Sequence, residues 1–309
     1  MENKLHVAAS PHIHSGRSTQ KIMLDVIIAL LPAAIAGVVI FGLQALLVIA
    51  VSVVTCVLGE FLFNLIIKKE QTISDLSAVV TGLILALNLP ANAPVWQVVV
   101  GAIFAIVIVK GLFGGIGKNF VNPAATARVF MLIAFASLAE PAFPKDVDAV
   151  SGATPLAQLA NNQLPVLKDL FLGNIGGAIG ETCTLALLIG GIYLLAKKVI
   201  TWHIPVAFIG TAFLFTLAIE GGNMEMALAW ILSGGLFIGA IFMATDYVTS
   251  PATPFGKIVF GIGAGLITVL IREWGKYPEG VSFAILLMNI LNPYIDSLTA
   301  RKLYGGGKK

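Results

Sequence analysis

Residues Asp148 to Thr154 read DAVSGAT and end in a hydroxyl that could carry chemistry. A threonine hydroxyl is a poor ligand for iron. As a nucleophile it would need an adjacent base, and no Ser-His-Asp set lies near it in the chain. As the acceptor of a modifying group it needs only to be presented. Ser151, Gly152 and Ala153 allow a tight turn that would offer Thr154 to another protein. A plain surface turn is the alternative. His12 and His14 form an HxH pair in a polar stretch, with no further metal ligand nearby. Cys56 and Cys183 lie far apart in apolar runs. They cannot supply the four thiolates of an ordinary iron–sulfur cluster, and they read as small apolar fillers.

The elements that must position this turn are membrane helices. The 309 residues are 58% hydrophobic and 11% charged, with a mean hydropathy of +0.94; a soluble domain carries about 25% charged residues. The net charge of +3 makes no case for a nucleic-acid partner. The first 20 residues are polar and no short apolar region follows a basic start, so no cleaved signal peptide is expected. A membrane span needs about 20 apolar residues. Ten segments qualify: 22–41, 44–67, 77–89, 95–113, 120–138, 175–196, 204–219, 226–244, 258–271 and 281–295. The third, ninth and tenth are short, and each adjoins Pro, Gly or Asn.

Lys and Arg set the orientation. With a cytoplasmic N-terminus, 14 of the 19 fall inside, four (Lys145, Lys168, Arg272 and Lys276) fall outside, and Arg128 stays within a span. Both termini are therefore expected inside and the loop 139–174 outside. This gives a cytoplasmic tail 1–21, a first membrane repeat 22–138, the outer loop 139–174, a second repeat 175–296 and a basic cytoplasmic tail 297–309. The repeat rests on an offset of 160 residues, which superposes Pro94 on Pro254 and Gly101 on Gly261. Each copy has an apolar segment, a proline-containing break and another apolar helix. Five spans separate the copies, and an odd number inverts the second. Inverted repeats with broken helices are a common way to build a polar site inside a bilayer.

The breaks at 88–94 and 245–254 remove backbone donors, which lipid tolerates only where protein covers them or a cavity is lined. Two polar sites follow, one per membrane face, unless the breaks are plain interfacial loops. Asp25, Lys110 and Asp246 lie near span ends and can snorkel. Glu60 and Arg128 lie deeper and read as structurally paired. Asp246 and Asn122 flank the inner-face break and could bond a polar ring.

The string DAVSGAT matches the acceptor pattern at which a flavin transferase links FMN, through its phosphate, to the terminal threonine. Together with SPHIHS before the first span, GGIGKNFVNPAATARVF at the fifth, SGATPLA in the loop and FMATDYVTSP after the eighth, it resembles the RnfD family, membrane components of the Rnf electron-transport complexes. That family is similar to the NqrB component of the sodium-pumping NADH:quinone reductase, from which this chain departs in its short hydrophilic start. The resemblance implies a urea-transporter-like fold of two inverted five-helix repeats. It also implies covalent FMN on Thr154 and a non-covalent riboflavin. The implied partners are RnfA, RnfB, RnfC, RnfE and RnfG, in a complex that couples ferredoxin:NAD electron transfer to Na⁺ or H⁺ movement. Asp148, Ser151, Gly152 and Ala153 would be read by the transferase.

Pseudo-symmetry adds an expectation about position. The FMN ring should lie in an outer cavity near Asn88, Pro90 and residues 278–282, and riboflavin in an inner one near Asn119, Asn122, Asp246 and Thr249. The glycines of GLFGGIGKNF sit between membrane segments and read as close helix packing or a flavin-facing turn. No Gly-rich fingerprint follows a strand and no Cys cluster is present, so the ferredoxin and NAD sites belong to partner subunits. A solute channel or transporter on the same fold, or a purely structural scaffold, would instead carry no covalent cofactor.

Overall fold

In the computed structural model, which describes residues 18–144, 154–161, 163–275 and 279–300, the apolar runs become helices and the polar breaks end them. α1 (Thr19–Phe41) opens on Ser18, whose hydroxyl accepts from the Lys21 amide at 3.3 Å. Gly42, at φ 76°, turns the chain directly into α2 (Leu43–Ile67). α3 (Ser77–Leu87) stops before the proline break. α4 (Val95–Ile103) continues through Phe104–Gly111 as wider π-type turns, in which the Leu112 amide reaches the Val107 carbonyl at 3.0 Å. α5 (Pro123–Ala134) closes the first half, and the short α6 (Pro155–Ala160) and α7 (Leu167–Leu172) follow.

The second half holds α8 (Thr184–Ala196), α9 (His203–Ile219), α10 (Met224–Leu232) and α11 (Leu236–Ile238), which runs on as π turns over Gly239–Met243. α12 (Pro254–Trp274) and α13 (Val281–Thr299) complete it. Among the described residues there is no strand, only an isolated bridge between Ala142 and Gly177. This is an all-α membrane protein.

α1, α2, α12 and α13 are long and apolar enough to cross a bilayer, and α10 with α11 and its continuation forms a further apolar pair bent by 66°. Five shorter apolar helices, α3, Val95–Gly111, α5, α8 and α9, occupy the remaining segments. The runs 258–271 and 281–295 predict short helices, but the observed ones have 21 and 19 residues. Polar residues at their ends conceal their length, since the helices run on through Arg272 and Glu273 and from Asp296 to Thr299. Arg272 turns inward to the carbonyls of Trp230 and Ser233, and Asn289 is buried.

α2 shows how the sequence sorts its faces. It buries Ala45, Val48, Ser52, Cys56, Glu60 and Asn64 at three- and four-residue spacing. It exposes Val54, Leu58, Leu62 and Ile66, each more than half exposed, on another side. Small and polar residues facing protein, with large aliphatics facing outward, is the pattern expected where lipid is the solvent. Ser52 donates to the Gly82 carbonyl at 2.7 Å and ties α2 to α3.

The two halves join where α1 packs on α8. A Cβ on Gly190 would lie 2.1 Å from the Ala29 carbonyl oxygen, a backbone atom that cannot yield. Gly190→Ala is expected to cost roughly 1–3 kcal/mol through overpacking, read as loss of monodisperse protein on size exclusion in detergent. Gly210, with nothing within 4 Å of the added carbon, is the control and should tolerate alanine.

Candidate functional site

At both breaks other segments bond the backbone, and a cavity lies beside each. At the end of α3, the amides of Ile179 and Gly180 donate to the carbonyls of Leu89 and Leu87 at 3.0 and 2.7 Å. The extended segment before α8 therefore supplies donors that a proline-ended helix lacks. After α11, Asn122 donates from its side chain to the Met243 carbonyl at 3.0 Å, and Asn289 donates to the Thr249 carbonyl at 3.0 Å. The Asn122 amide in turn donates to Asn289 Oδ1 at 3.1 Å, while its own Oδ1 caps α5 by accepting from the Ala124 and Ala125 amides. Pro123, at the first position of α5, needs no donor there.

The first cavity, of about 360 Å³, takes in the starts of α3 and α5: Ser77, Thr81, Asn119, Asn122 and Pro123. Lys110, Asp246 and Tyr247 add polar atoms, and Ile22, Val26, Ile84 and Phe242 supply apolar wall. This volume and this mostly apolar lining with a few convergent polar groups suit a planar organic ligand. Asp246 accepts from Thr249 Oγ1 at 3.1 Å, and Asn119 donates to the Val121 carbonyl at 3.2 Å. Thus Asn119, Asn122 and Asp246 line one cavity. Thr249 does not line it and instead supports Asp246 from behind.

Lys110 does not snorkel. It is 4% exposed, pairs with Glu60 at 2.8 Å and donates to Ser77 Oγ at 2.6 Å. Thr72 donates to the same Glu60 carboxylate. The π turns around Lys110 place this charge inside the protein, where its position near a span end suggested solvent.

The second cavity, of about 150 Å³, lies at the other ends of the same helices. Pro90 follows α3, and Leu132 and Leu138 lie toward and beyond the end of α5. Thr154 lines it and caps α6, accepting from the Ala157 amide at 3.1 Å. Arg128, Glu181 and Glu279 line it too. Arg128 Nη2 pairs with Glu279 Oε2 at 2.9 Å, and its Nε and Nη1 are buried with no partner among the described residues. Glu181 faces Glu279, and its Oε2 accepts from the Ala178 amide at 3.4 Å.

Glycines admit this cluster. A Cβ on Gly235 would sit 2.9 Å from Glu181 Oε1, and one on Gly234, at φ +67°, would sit 2.8 Å from Arg272 Nη2. Burial pushes the Glu279 carboxyl up, but Arg128, the contact with Glu181 and Arg272 together outweigh it and hold the carboxyl below its usual range.

Pro90 and Thr154, far apart in sequence, both line this cavity. Asn88 does not line this cavity. Its amide turns back to the Ile84 carbonyl at 2.7 Å and to Met243 Sδ at 3.4 Å, inside the bundle. Asp148, Ser151, Gly152 and Ala153 lie outside the described residues, as do His12, His14 and Pro278. The sequence did not single out Glu279 as the partner of Arg128. Its signal was an acid between Pro278 and Gly280 just ahead of a helix. Among the described residues, no group of three His, Cys, Asp or Glu could hold a metal ion.

The model of the NQR2, RnfD, RnfE family matches residues 6–305. The chain belongs to this family. It is 48% identical to the D component of the Na⁺-translocating ferredoxin:NAD⁺ oxidoreductase complex of Acetobacterium woodii, covering 98% of this chain and 96% of that one. It is 41% identical to the D component of the proton-translocating ferredoxin:NAD⁺ oxidoreductase complex of Clostridium ljungdahlii, over 98% and 97% of the two chains. It is 36% identical to the D component of the ion-translocating oxidoreductase complex of Mannheimia succiniciproducens, over 97% of each. Membership of a family of membrane subunits of redox-driven ion pumps gives a setting for two cavities that each bring a few polar groups into an apolar bundle. The residues of the second cavity also fit a flavin nucleotide: a hydroxyl at its edge, a buried guanidinium with two unpartnered nitrogens, and a carboxylate beside it.

Proposed function

We propose that this chain is the flavin-carrying membrane subunit of an ion-translocating ferredoxin:NAD⁺ oxidoreductase, coupling electron transfer to Na⁺ or H⁺ movement. FMN is esterified to Thr154 at the smaller cavity, and riboflavin occupies the larger one. The carrying observation is that Thr154, the last residue of DAVSGAT, lines a cavity with Arg128 and Glu279 in a chain related over nearly its full length to the D components of such complexes.

A flavin supplies the capacity to take up and release one or two electrons. The chain supplies position and surroundings. Thr154 provides the single oxygen for the phosphoester. Asp148, Ser151, Gly152 and Ala153 form the pattern that the flavin transferase reads. Asn119, Asn122 and Asp246 offer donors and acceptors to a ring in the larger cavity, and its apolar wall excludes water from the ring faces.

Ten crossings in two inverted five-helix repeats of the urea-transporter type are part of this reading. Corresponding contacts in the two halves support the repeat. Lys110, late in the fourth segment, reaches Ser77 at the start of α3, and Arg272, late in the ninth, reaches Ser233 just ahead of α11. Glu60 near the end of α2 has Glu220 at the end of α9 as its counterpart.

The channel alternative requires one continuous polar pore, whereas among the described residues none lines both cavities. Flavins on opposite faces let electrons cross the membrane, and each elementary charge moved against 100 mV costs about 2.3 kcal/mol. A compensating cation is the thermodynamic consequence. The remaining Rnf subunits supply the ferredoxin and NAD sites.

Co-expression with the flavin transferase should give a denatured band that fluoresces as flavin; a dark band would remove the reading. Both termini are cytoplasmic and the loop 139–174 is outside, where the transferase must act. Asn161, exposed after α6, tests this. Asn161→Cys in a background lacking Cys56 and Cys183 should react with an impermeant thiol reagent in intact cells. Labelling only after lysis would reverse the orientation.

A further inference from the structure

We propose that Arg128 and Glu279 together seat the pyrimidine edge of the ring carried on Thr154, and that the Arg128 charge sets the potential at which that ring takes up electrons. The inference rests on FMN attachment at Thr154. That edge presents a carbonyl, an N–H and a second carbonyl in a row. It therefore needs donors and an acceptor held side by side. Arg128 and Glu279 are held in that relation by their 2.9 Å pair.

The pair uses only Nη2 of the guanidinium. Nε and Nη1 are buried without partners among the described residues. Buried donors of a charged group are nearly always satisfied, so two left over on a side chain that lines a cavity call for an acceptor from a ligand. The cavity's size agrees. About 150 Å³ is below the range of pockets that enclose a whole drug-sized molecule. It is room for one edge of a ring, with the phosphate at Thr154 on the rim.

The seat is also rigid. Arg128 comes from α5 and Glu279 from the segment before α13, so the two halves of the molecule each give one partner. Behind Glu279 stands Glu181, fitted against Gly235. Arg272 is pinned at 2.8 and 2.9 Å by the carbonyls of Trp230 and Ser233. Arg128 is 4% exposed in its side chain and has no solvent to retreat into.

A fixed cation in such a place acts on the equilibrium rather than on a bond. An electron arriving from the upstream carrier of the complex would add negative charge to the ring beside the guanidinium. The positive charge stabilises the electron-rich form and raises the potential, and the Glu279 carboxylate opposes it. Fixed charges in a water-poor site exert this effect at close to full strength.

The test is potentiometric titration of the covalent flavin in the purified complex, for wild type, Arg128→Gln, Arg128→Lys and Glu279→Gln. Arg128→Gln should shift the redox equilibrium at least tenfold toward the oxidised form, a fall of about 59 mV per one-electron couple. Arg128→Lys should keep most of the wild-type value, and Glu279→Gln should shift it the opposite way. A merely structural role for the pair predicts no opposite-signed shifts. Unchanged potentials, or shifts of the same sign in both neutral variants, with the covalent band intact, overturn the proposal. If Arg128→Gln fails to accumulate, the Glu279→Gln potential decides: a rise supports the seat and no change overturns it. A wild-type band without covalent flavin would instead refute attachment at Thr154 and is scored separately.

Discussion

Thr154→Val is expected to abolish covalent flavin altogether, with protein yield unchanged. Valine keeps the β-branched shape and removes the one atom that can be esterified. The structural loss is small, because the Thr154 hydroxyl caps only the six-residue α6 through one bond at 3.1 Å. A lost cap costs about 1 kcal/mol. The effect on flavin is all or none, and the effect on folding is slight. Thr154→Ser restores the hydroxyl in the same backbone setting and should recover fluorescence in part or in full. A fluorescent Thr154→Val band after denaturation would mean that the flavin is held elsewhere.

The second large effect concerns Lys110 and Glu60. The pair is 2.8 Å apart, with both side chains under 10% exposed. Lys110→Met removes the cation and leaves a buried carboxylate with, among the described residues, Thr72 to bond it. Breaking a buried pair by removing one partner costs roughly 3–5 kcal/mol, whereas replacing both partners by groups of similar volume is often neutral. The single variant should therefore unfold far more readily on heating in detergent, and Glu60→Gln with Lys110→Met should recover most of the loss. Equal damage from the single and double variants would show that Lys110 matters through Ser77, to which it donates at 2.6 Å, and not through the carboxylate.

Much of the scaffold was legible in the chain because its signals are local. Prolines 90, 94, 251 and 254 announce the breaks, and the apolar runs locate the helices, although the run 226–244 holds two, α10 and α11, bent by 66°. The lengths of the last two helices were hidden because Arg272, Glu273 and Asp296 end the apolar runs while the helices continue through them, with Arg272 turned inward. The acceptor pattern ending at Thr154 is legible because one short string carries it whole. The cluster opposite it was not. Arg128 and Glu279 are 151 residues apart, and no periodicity links them.

Lys110 and Asn88 depart from expectation for one reason: side-chain direction is not written in position. A lysine near a span end usually reaches for water, but the π turns of Phe104–Gly111 turn this one toward Glu60. An asparagine beside a break reads as cavity lining, but this one folds back on its own helix. Asn122 was legible as a polar residue flanking the inner-face break, where it lines the larger cavity. Its second task, bonding the Met243 carbonyl of the other half, was not.

The most direct measurement is a flavin inventory of the chain co-expressed with its transferase. Acid precipitation separates bound from released flavin, and trypsin cuts after Lys145 and Lys168 to give one peptide containing Thr154. The account predicts that this peptide carries the mass of FMN less one water, located at Thr154 by fragmentation, and that riboflavin is released in equal amount. An unmodified peptide with no flavin in either fraction would contradict it.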